Sequence, residues 1–134
     1  MAQKIWLITG ASRGFGNIWA KTALDRGDHV IATARQLSAL DELKRTYGDA
    51  VLTMQLDVTD REAVFATVQQ AHQHFGRLDV VISNAGFGYM AAVEEAEIED
   101  TRATFETNVF GTLSLIQAVL PILRAQGSGH ILPV

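Results

Sequence analysis

Between an apolar run, Ile5-Trp6-Leu7-Ile8, and a helical pattern lies the segment Thr9-Gly10-Ala11-Ser12-Arg13-Gly14-Phe15-Gly16, a Gly-x-x-x-Gly-x-Gly turn. Glycine at these points permits positive φ and removes the Cβ atoms that would hold a diphosphate away from the backbone. The amides that open the following helix then face the anion. The same spacing also serves an ordinary tight strand-to-helix turn, so the phosphate reading leans on the elements at either side. No Gly-Lys-Ser/Thr follows, which excludes a P-loop, and the order is not Gly-x-Gly-x-x-Gly. Asp57, at the end of a later apolar run, offers a carboxylate that can accept from an exocyclic amine or cap the helix beyond Thr59. Metal chemistry finds little support. There are no cysteines, and His72 and His74 sit two apart on a helical pattern, about 200° around its axis. The acidic run Glu94, Glu95, Glu97, Glu99 and Asp100 falls where a helix begins, and there it suits the helix dipole better than a cation.

Strand-like and helix-like segments alternate through all 134 residues, the pattern of βαβ units that build a parallel sheet covered by helices in one domain. Strands are expected at Ile5 to Thr9, His29 to Thr33, Val51 to Leu56, Leu78 to Ser83 and His130 to Val134. Several are apolar at consecutive positions, as strands buried on both faces must be. Helical periods run through Phe15, Ile18, Trp19 and Ala23, and through Val64, Val68, Ala71 and Phe75, with a shorter helix from Leu37 to Tyr47. Gly27 and Gly76 stand where helices end, and Thr59-Asp60-Arg61-Glu62 fits a capping box. The last helix carries Phe105, Val109, Leu113, Ile116, Leu120 and Leu123 as one stripe, with Phe110, Leu115 and Val119 on its flank, so more than one side needs covering.

Four motifs in order, Thr9-Gly-x-x-x-Gly-x-Gly16, Asp57-Val58, Ser83-Asn84-Ala85-Gly86 and Asn108, resemble the N-terminal part of a short-chain dehydrogenase/reductase, over almost the whole chain. Phe15 and the run Asn108-Val109-Phe110-Gly111 look most like hydroxysteroid-dehydrogenase-like members. The resemblance implies a Rossmann-like three-layer α/β fold with strand order 3-2-1-4-5, incomplete on the fifth-strand side. It implies that Gly10, Gly14 and Gly16 shape the diphosphate turn, with the backbone around Ser12, Arg13 and Phe15 on phosphates and ribose. Asp57 would meet the adenine amino group beside the Val58 backbone, and Asn84, Ala85 and Gly86 would lie against the cofactor ribose. Ser83 departs from the commoner asparagine there. Asn108 falls where the family's catalytic asparagine resides.

The cofactor is expected to be NADP, with NAD as second choice. A 2′-phosphate needs cations where the NAD form needs a carboxylate on the ribose hydroxyls. Here Arg35 follows Ala34, which occupies the acid's place, and Arg13 can close on the same phosphate. The family's proton chemistry needs a serine and a Tyr-x-x-x-Lys beyond the fifth strand, in which a lysine and the nicotinamide charge lower the tyrosine's pKa. Neither Tyr47 nor Tyr89, the two tyrosines of the chain, has a lysine four positions on.

The expected function is therefore that of an NADP-dependent oxidoreductase interconverting a carbonyl and an alcohol, with this chain as its cofactor-binding part and inactive alone. The alternative is a non-catalytic nucleotide-binding module or sensor on the same half-fold. A SAM-dependent methyltransferase would want an acid where Ala34-Arg35 stands. A net charge of −4 with no basic stripe excludes nucleic acid as a partner. The apolar stretch Val109 to Leu123, broken by Thr112, Ser114, Gln117 and Pro121, is expected to fall short of a membrane span. With no cysteine and no export signal, the cytoplasm is the expected compartment. The fifth strand is expected to be an uncovered edge, with Val80, Ile82, Ile131 and Leu132 facing water and Leu113, Leu115 and Val119 short of a packing partner. Association through the last helix or the edge strand would follow, in a homo-oligomer or with the rest of a longer protein.

Overall fold

The computed structural model describes residues 2–134. Five strands, β1 (Ile5–Ile8), β2 (His29–Ala34), β3 (Val51–Gln55), β4 (Val80–Ser83) and β5 (His130–Pro133), form one sheet in the order β3-β2-β1-β4-β5. Every pairing is parallel. This is the three-layer α/β arrangement and strand order expected, with ends displaced by one or two residues. Alternate residues of each strand feed two cores. Leu7, Ile31 and Val81 pack with α3 (Arg61–Phe75) and α5 (Thr112–Gln126). Ile8, Val30 and Val80 pack on the opposite face with α1 (Gly14–Asp25) and α2 (Asp41–Tyr47). The remaining helix, α4 (Ile98–Phe105), runs through a π-helical segment, Glu106–Gly111, into α5.

Two carboxylates fix the N-terminal end of β1. Asp28, buried, accepts from the Lys4 amide at 3.0 Å and from Trp6 Nε1 at 3.0 Å. Asp79 accepts from the Ile5 amide at 2.8 Å and from Arg77 Nε at 2.9 Å. Burial opposes the Asp79 charge, but Arg77 and the Ile5 amide together hold its carboxyl below the ordinary carboxylate range.

Several expectations are corrected. Val80 and Ile82 are only 6% and 4% exposed, because they point to the α1 face, where Trp6 and Trp19 pack against the same core. Leu115 and Val119 are buried against α3, and Ile131 packs on that core. What stays open beside β5 is Leu132, 47% exposed, at the lip of a groove of about 260 Å³ lined by Trp6, Trp19, Ile82 and Val134. The last helix turns only part of its expected stripe inward: Leu123 is buried together with Leu115, Ala118 and Val119, while Phe105, Val109, Phe110, Leu113 and Leu120 face out. From Ile98 to Gln126 it runs 29 residues, long and apolar enough by length and composition to cross a membrane, a test that the core helix of a soluble protein also passes. Pro121 does not interrupt it, and its inner face is part of the core.

The expected α1 stripe holds in part: Trp19 and Ala23 pack on the sheet, and Phe15 and Ile18 do not. Gly16, Ala20 and Ala23 face the sheet, and Phe15 and Ile18 are exposed, because small residues let the helix approach the strands closely. The capping box is replaced by a simpler cap. Asp60 is the N-cap of α3 and accepts from the Ala63 amide at 3.1 Å, while the Thr59 hydroxyl donates to Asp57 at 2.7 Å. The segment from Leu37 to Tyr47 is one 3₁₀ turn, Leu37–Leu40, followed by α2.

Candidate functional site

The C-terminal ends of β1, β2, β3 and β4 open onto one cleft of about 850 Å³. It lies where the chain leaves β1 toward α1 on one face while β4 leads toward the opposite layer, the place in an open parallel sheet where ligands bind. Eleven of the twelve residues assigned to the cofactor line it: Gly10, Ser12, Arg13, Gly14, Phe15, Arg35, Asp57, Val58, Asn84, Ala85 and Gly86. Gly16 lies beneath the lining, and Asn108 supports it from behind.

The glycine turn is defined by close approaches. Gly10 has φ +64°, and a Cβ there would stand 3.0 Å from the Ala85 backbone. At Gly16 a Cβ would lie 2.6 Å from Asn84 Nδ2 and nearer still to the Gly10 carbonyl oxygen. Thr9 links the two strand ends. Fully buried, its hydroxyl oxygen accepts from the amides of Asn84 at 3.0 Å and Ala85 at 3.1 Å. Asn84 Nδ2 donates to the Gly10 carbonyl at 3.0 Å, and Asn17 Nδ2 to the Ala11 carbonyl at 3.2 Å. Thr9 and Asn17 were not singled out as site residues in the sequence. A hydroxyl closing a fully apolar strand was the available signal for Thr9, since such a group must find partners when buried.

The helix behind the turn has the electrostatics of an anion site. Its N-cap, Arg13, is extended and makes no side-chain cap, and the first turn of α1 holds no acid, so its orphan amides and positive dipole end are available. Arg13 and Arg35 are exposed at the rim, and neither forms an ion pair among the described residues. No carboxylate stands at the end of β2, where Ala34 is buried. Asp57 Oδ1 accepts from the Thr59 hydroxyl at 2.7 Å and its amide at 2.9 Å, forming a local turn rather than the α3 cap. Those two bonds, helped by the positive charge of Arg35, hold the Asp57 carboxyl below its ordinary value and keep it an acceptor. An uncapped helix end, a backbone cradle that a Cβ would fill, two free guanidiniums and an ionised acceptor fit a phosphorylated dinucleotide.

Asn108 sits inside the π-helical segment. Its Oδ1 accepts from the Phe87 amide at 3.1 Å and its Nδ2 donates to the Phe87 carbonyl at 2.7 Å. Its own carbonyl accepts from the Thr112 hydroxyl at 2.8 Å. The side-chain amide thus ties the helix to the loop after β4. The π-helical widening, common at functional sites, carries no sequence signal of its own. Phe87, Ala103, Glu106 and Thr107 close this side of the cleft.

Residues 4–134 match the family model for short chain dehydrogenase. Oxidoreductase BOA17 of Botryotinia fuckeliana is 49% identical over 132 residues, covering 98% of this chain and 48% of that protein. The NADP-dependent 3-hydroxy acid dehydrogenase YdfG of Salmonella typhi is 35% identical, covering 97% and 53%. A short-chain dehydrogenase from Streptomyces avermitilis superposes with a TM-score of 0.94 at 42% identity, covering 97% of this chain and 47% of that one. The chain spans about half the length of the curated relatives it matches.

Proposed function

The chain belongs to the short-chain dehydrogenase family, and from that premise we propose that it binds NADP as the cofactor-holding part of an oxidoreductase that interconverts a carbonyl and an alcohol. One observation carries this reading: an uncapped glycine turn flanked by two unpaired arginines, with no carboxylate where β2 ends. The NADP dependence named for the Salmonella relative agrees with it.

In this reading the amides of Gly14, Phe15 and Gly16 hold the diphosphate against the positive end of α1. Arg35 and Arg13 hold the 2′-phosphate, with guanidinium forks suited to two parallel hydrogen bonds. Asp57, kept ionised by Thr59, accepts from the adenine amine. Thr9 and Asn84 fix the distance between the glycine turn and the β4 loop, so the ribose next to the nicotinamide rests on Ala85 and Gly86. The nicotinamide, when bound, supplies or accepts the hydride. Asn108 orients the loop at Phe87, on the side of the cleft where substrate would enter.

Neither tyrosine of these 134 residues has a lysine four positions on, so they do not by themselves hold the family's usual proton-transfer pair. A non-catalytic nucleotide-binding module would look the same, and on either reading the 134 residues alone bind the cofactor without turning over carbonyl compounds. The outward apolar face of the last helix, with Phe105, Val109, Phe110, Leu113 and Leu120, is the surface through which a second copy would associate. A cysteine-free chain suits the reducing cytoplasm. Titration with NADPH and NADH tests the core of the proposal. Tighter NADPH binding is expected, eroded or reversed by Ala34→Asp with Arg35→Asp, and equal or tighter NADH binding would overturn it.

A further inference from the structure

Gln55 is the last residue of β3 and pairs in register with Ala34, the last residue of β2. The Leu56 amide closes the final backbone rung on the Ala34 carbonyl at 2.9 Å. One residue further on, the chain leaves the sheet through Arg35 and Gln36 into the 3₁₀ turn. There the Gln55 side chain supplies another rung, its Nε2 donating to the Arg35 carbonyl at 3.0 Å. Gln55 is exposed and does not line the cleft, and Arg35 does.

From this we propose that Gln55 is a positioning residue for selectivity toward 2′-phosphorylated adenine nucleotides, acting through Arg35. The inference rests on the NADP reading above. A long side chain on backbone that has just left a ladder inherits any rotation of the peptide at its root, magnified at the guanidinium. Bidentate phosphate contact depends on the direction of that planar fork. The Gln55 amide fixes the Arg35 peptide by its carbonyl, and so fixes where the side chain starts. The sheet does not need this bond, because the β2–β3 ladder is complete without it.

Adenosine 2′,5′-bisphosphate and adenosine 5′-monophosphate differ only in the 2′-phosphate, and calorimetric titration of the whole chain with each gives an affinity ratio. Gln55→Leu should lower that ratio about threefold to tenfold, the scale of one hydrogen bond, with the monophosphate affinity and melting temperature unchanged. Gln55→Glu, which keeps the shape but replaces the donor with an acceptor, should lower it at least as far. In an Arg35→Met background, Gln55→Leu should have no further effect, since the pair acts as a unit. A ratio left intact by both Gln55 variants, or a fall that persists without the arginine, overturns the role of Gln55 while leaving the NADP reading in place. A parent chain that binds both nucleotides equally overturns both.

Discussion

A methyl group at Gly16 and one at Gly14 should have very unequal consequences, although both positions belong to the same turn. At Gly16 the new Cβ would be 2.6 Å from Asn84 Nδ2 and closer to the Gly10 carbonyl oxygen, and both of these are held, the second by the first. Something must move. Overpacking of this kind costs about 1–3 kcal/mol, and loss of the Asn84 to Gly10 hydrogen bond adds about 1 kcal/mol. At Gly14 a Cβ meets nothing within 4 Å, and the penalty is the left-handed backbone at φ +61°. That costs roughly 1–2 kcal/mol and is offset by roughly 0.4–1 kcal/mol from the stiffer unfolded chain. For a chain of this size, with roughly 4 °C of melting temperature per kcal/mol, Gly16→Ala should melt roughly 8–16 °C below the parent and Gly14→Ala within roughly 4–6 °C. Thermal unfolding followed by circular dichroism measures both. If Gly16→Ala melts with the parent, or Gly14→Ala proves the more damaging, the close approach of α1 to the β4 loop is not what the turn requires.

Asn108→Ala should release the loop at Phe87, raising the hydrogen-exchange rate of the Phe87 amide at least tenfold while costing about 1–2 kcal/mol of stability. Unchanged exchange would mean that the clamp is redundant. Asp79 ionises more readily folded than unfolded, so the unfolded state binds more protons as the solution acidifies. Its contribution is complete above the ordinary carboxylate range and lost as pH falls through its lowered folded value. Melting temperatures of the parent should drop on acidification there, and those of Asp79→Asn should drop less. NADPH affinity should weaken as salt is raised from low to physiological ionic strength, more steeply than NADH affinity, because two exposed arginines meet the additional phosphate. The chain should show concentration-dependent light scattering that Val109→Glu with Leu113→Glu abolishes, and a monomeric parent at high concentration would sink the assignment of that face.

The sheet was legible because its strands are apolar at consecutive positions. Ile5 to Ile8 and Val80 to Ile82 serve both faces, as a buried parallel strand requires, and their short length between turn residues argues against a helix. The cleft was legible to the extent that glycine spacing and charge define it. Harder to read was which side of a helix faces in. In α1 the expected Ala23 and Trp19 reach the core, but Phe15 and Ile18 do not and Gly16 and Ala20 take the inner face instead, because closeness to the sheet outweighed side-chain area. In the last helix Leu123 of the expected stripe is buried, but Phe105, Val109, Leu113 and Leu120 face out while Leu115 and Val119 of its flank face in. At Thr59 a capping-box pattern lost to Asp60, whose shorter carboxylate already reaches the Ala63 amide. The links among Thr9, Gly10, Asn84 and Ala85, and between Asn108 and Phe87, span 21 to 76 residues of sequence, and no local pattern encodes them.

Phe15 belongs to the cleft lining, and its ring stacks on that of Trp19 at 5.6 Å between centroids and 15° between planes. The consequence is optical. Of the two tryptophans, Trp6 is fixed by its indole hydrogen bond to Asp28, while Trp19 stacks on Phe15, a ring of the cleft lining that a bound dinucleotide would meet. A Trp6→Phe chain would therefore emit from Trp19 alone. Its emission would register any tilt of Phe15, and reduced nicotinamide in the cleft would accept its excitation, so the protein carries a reporter of its own occupancy without an added label.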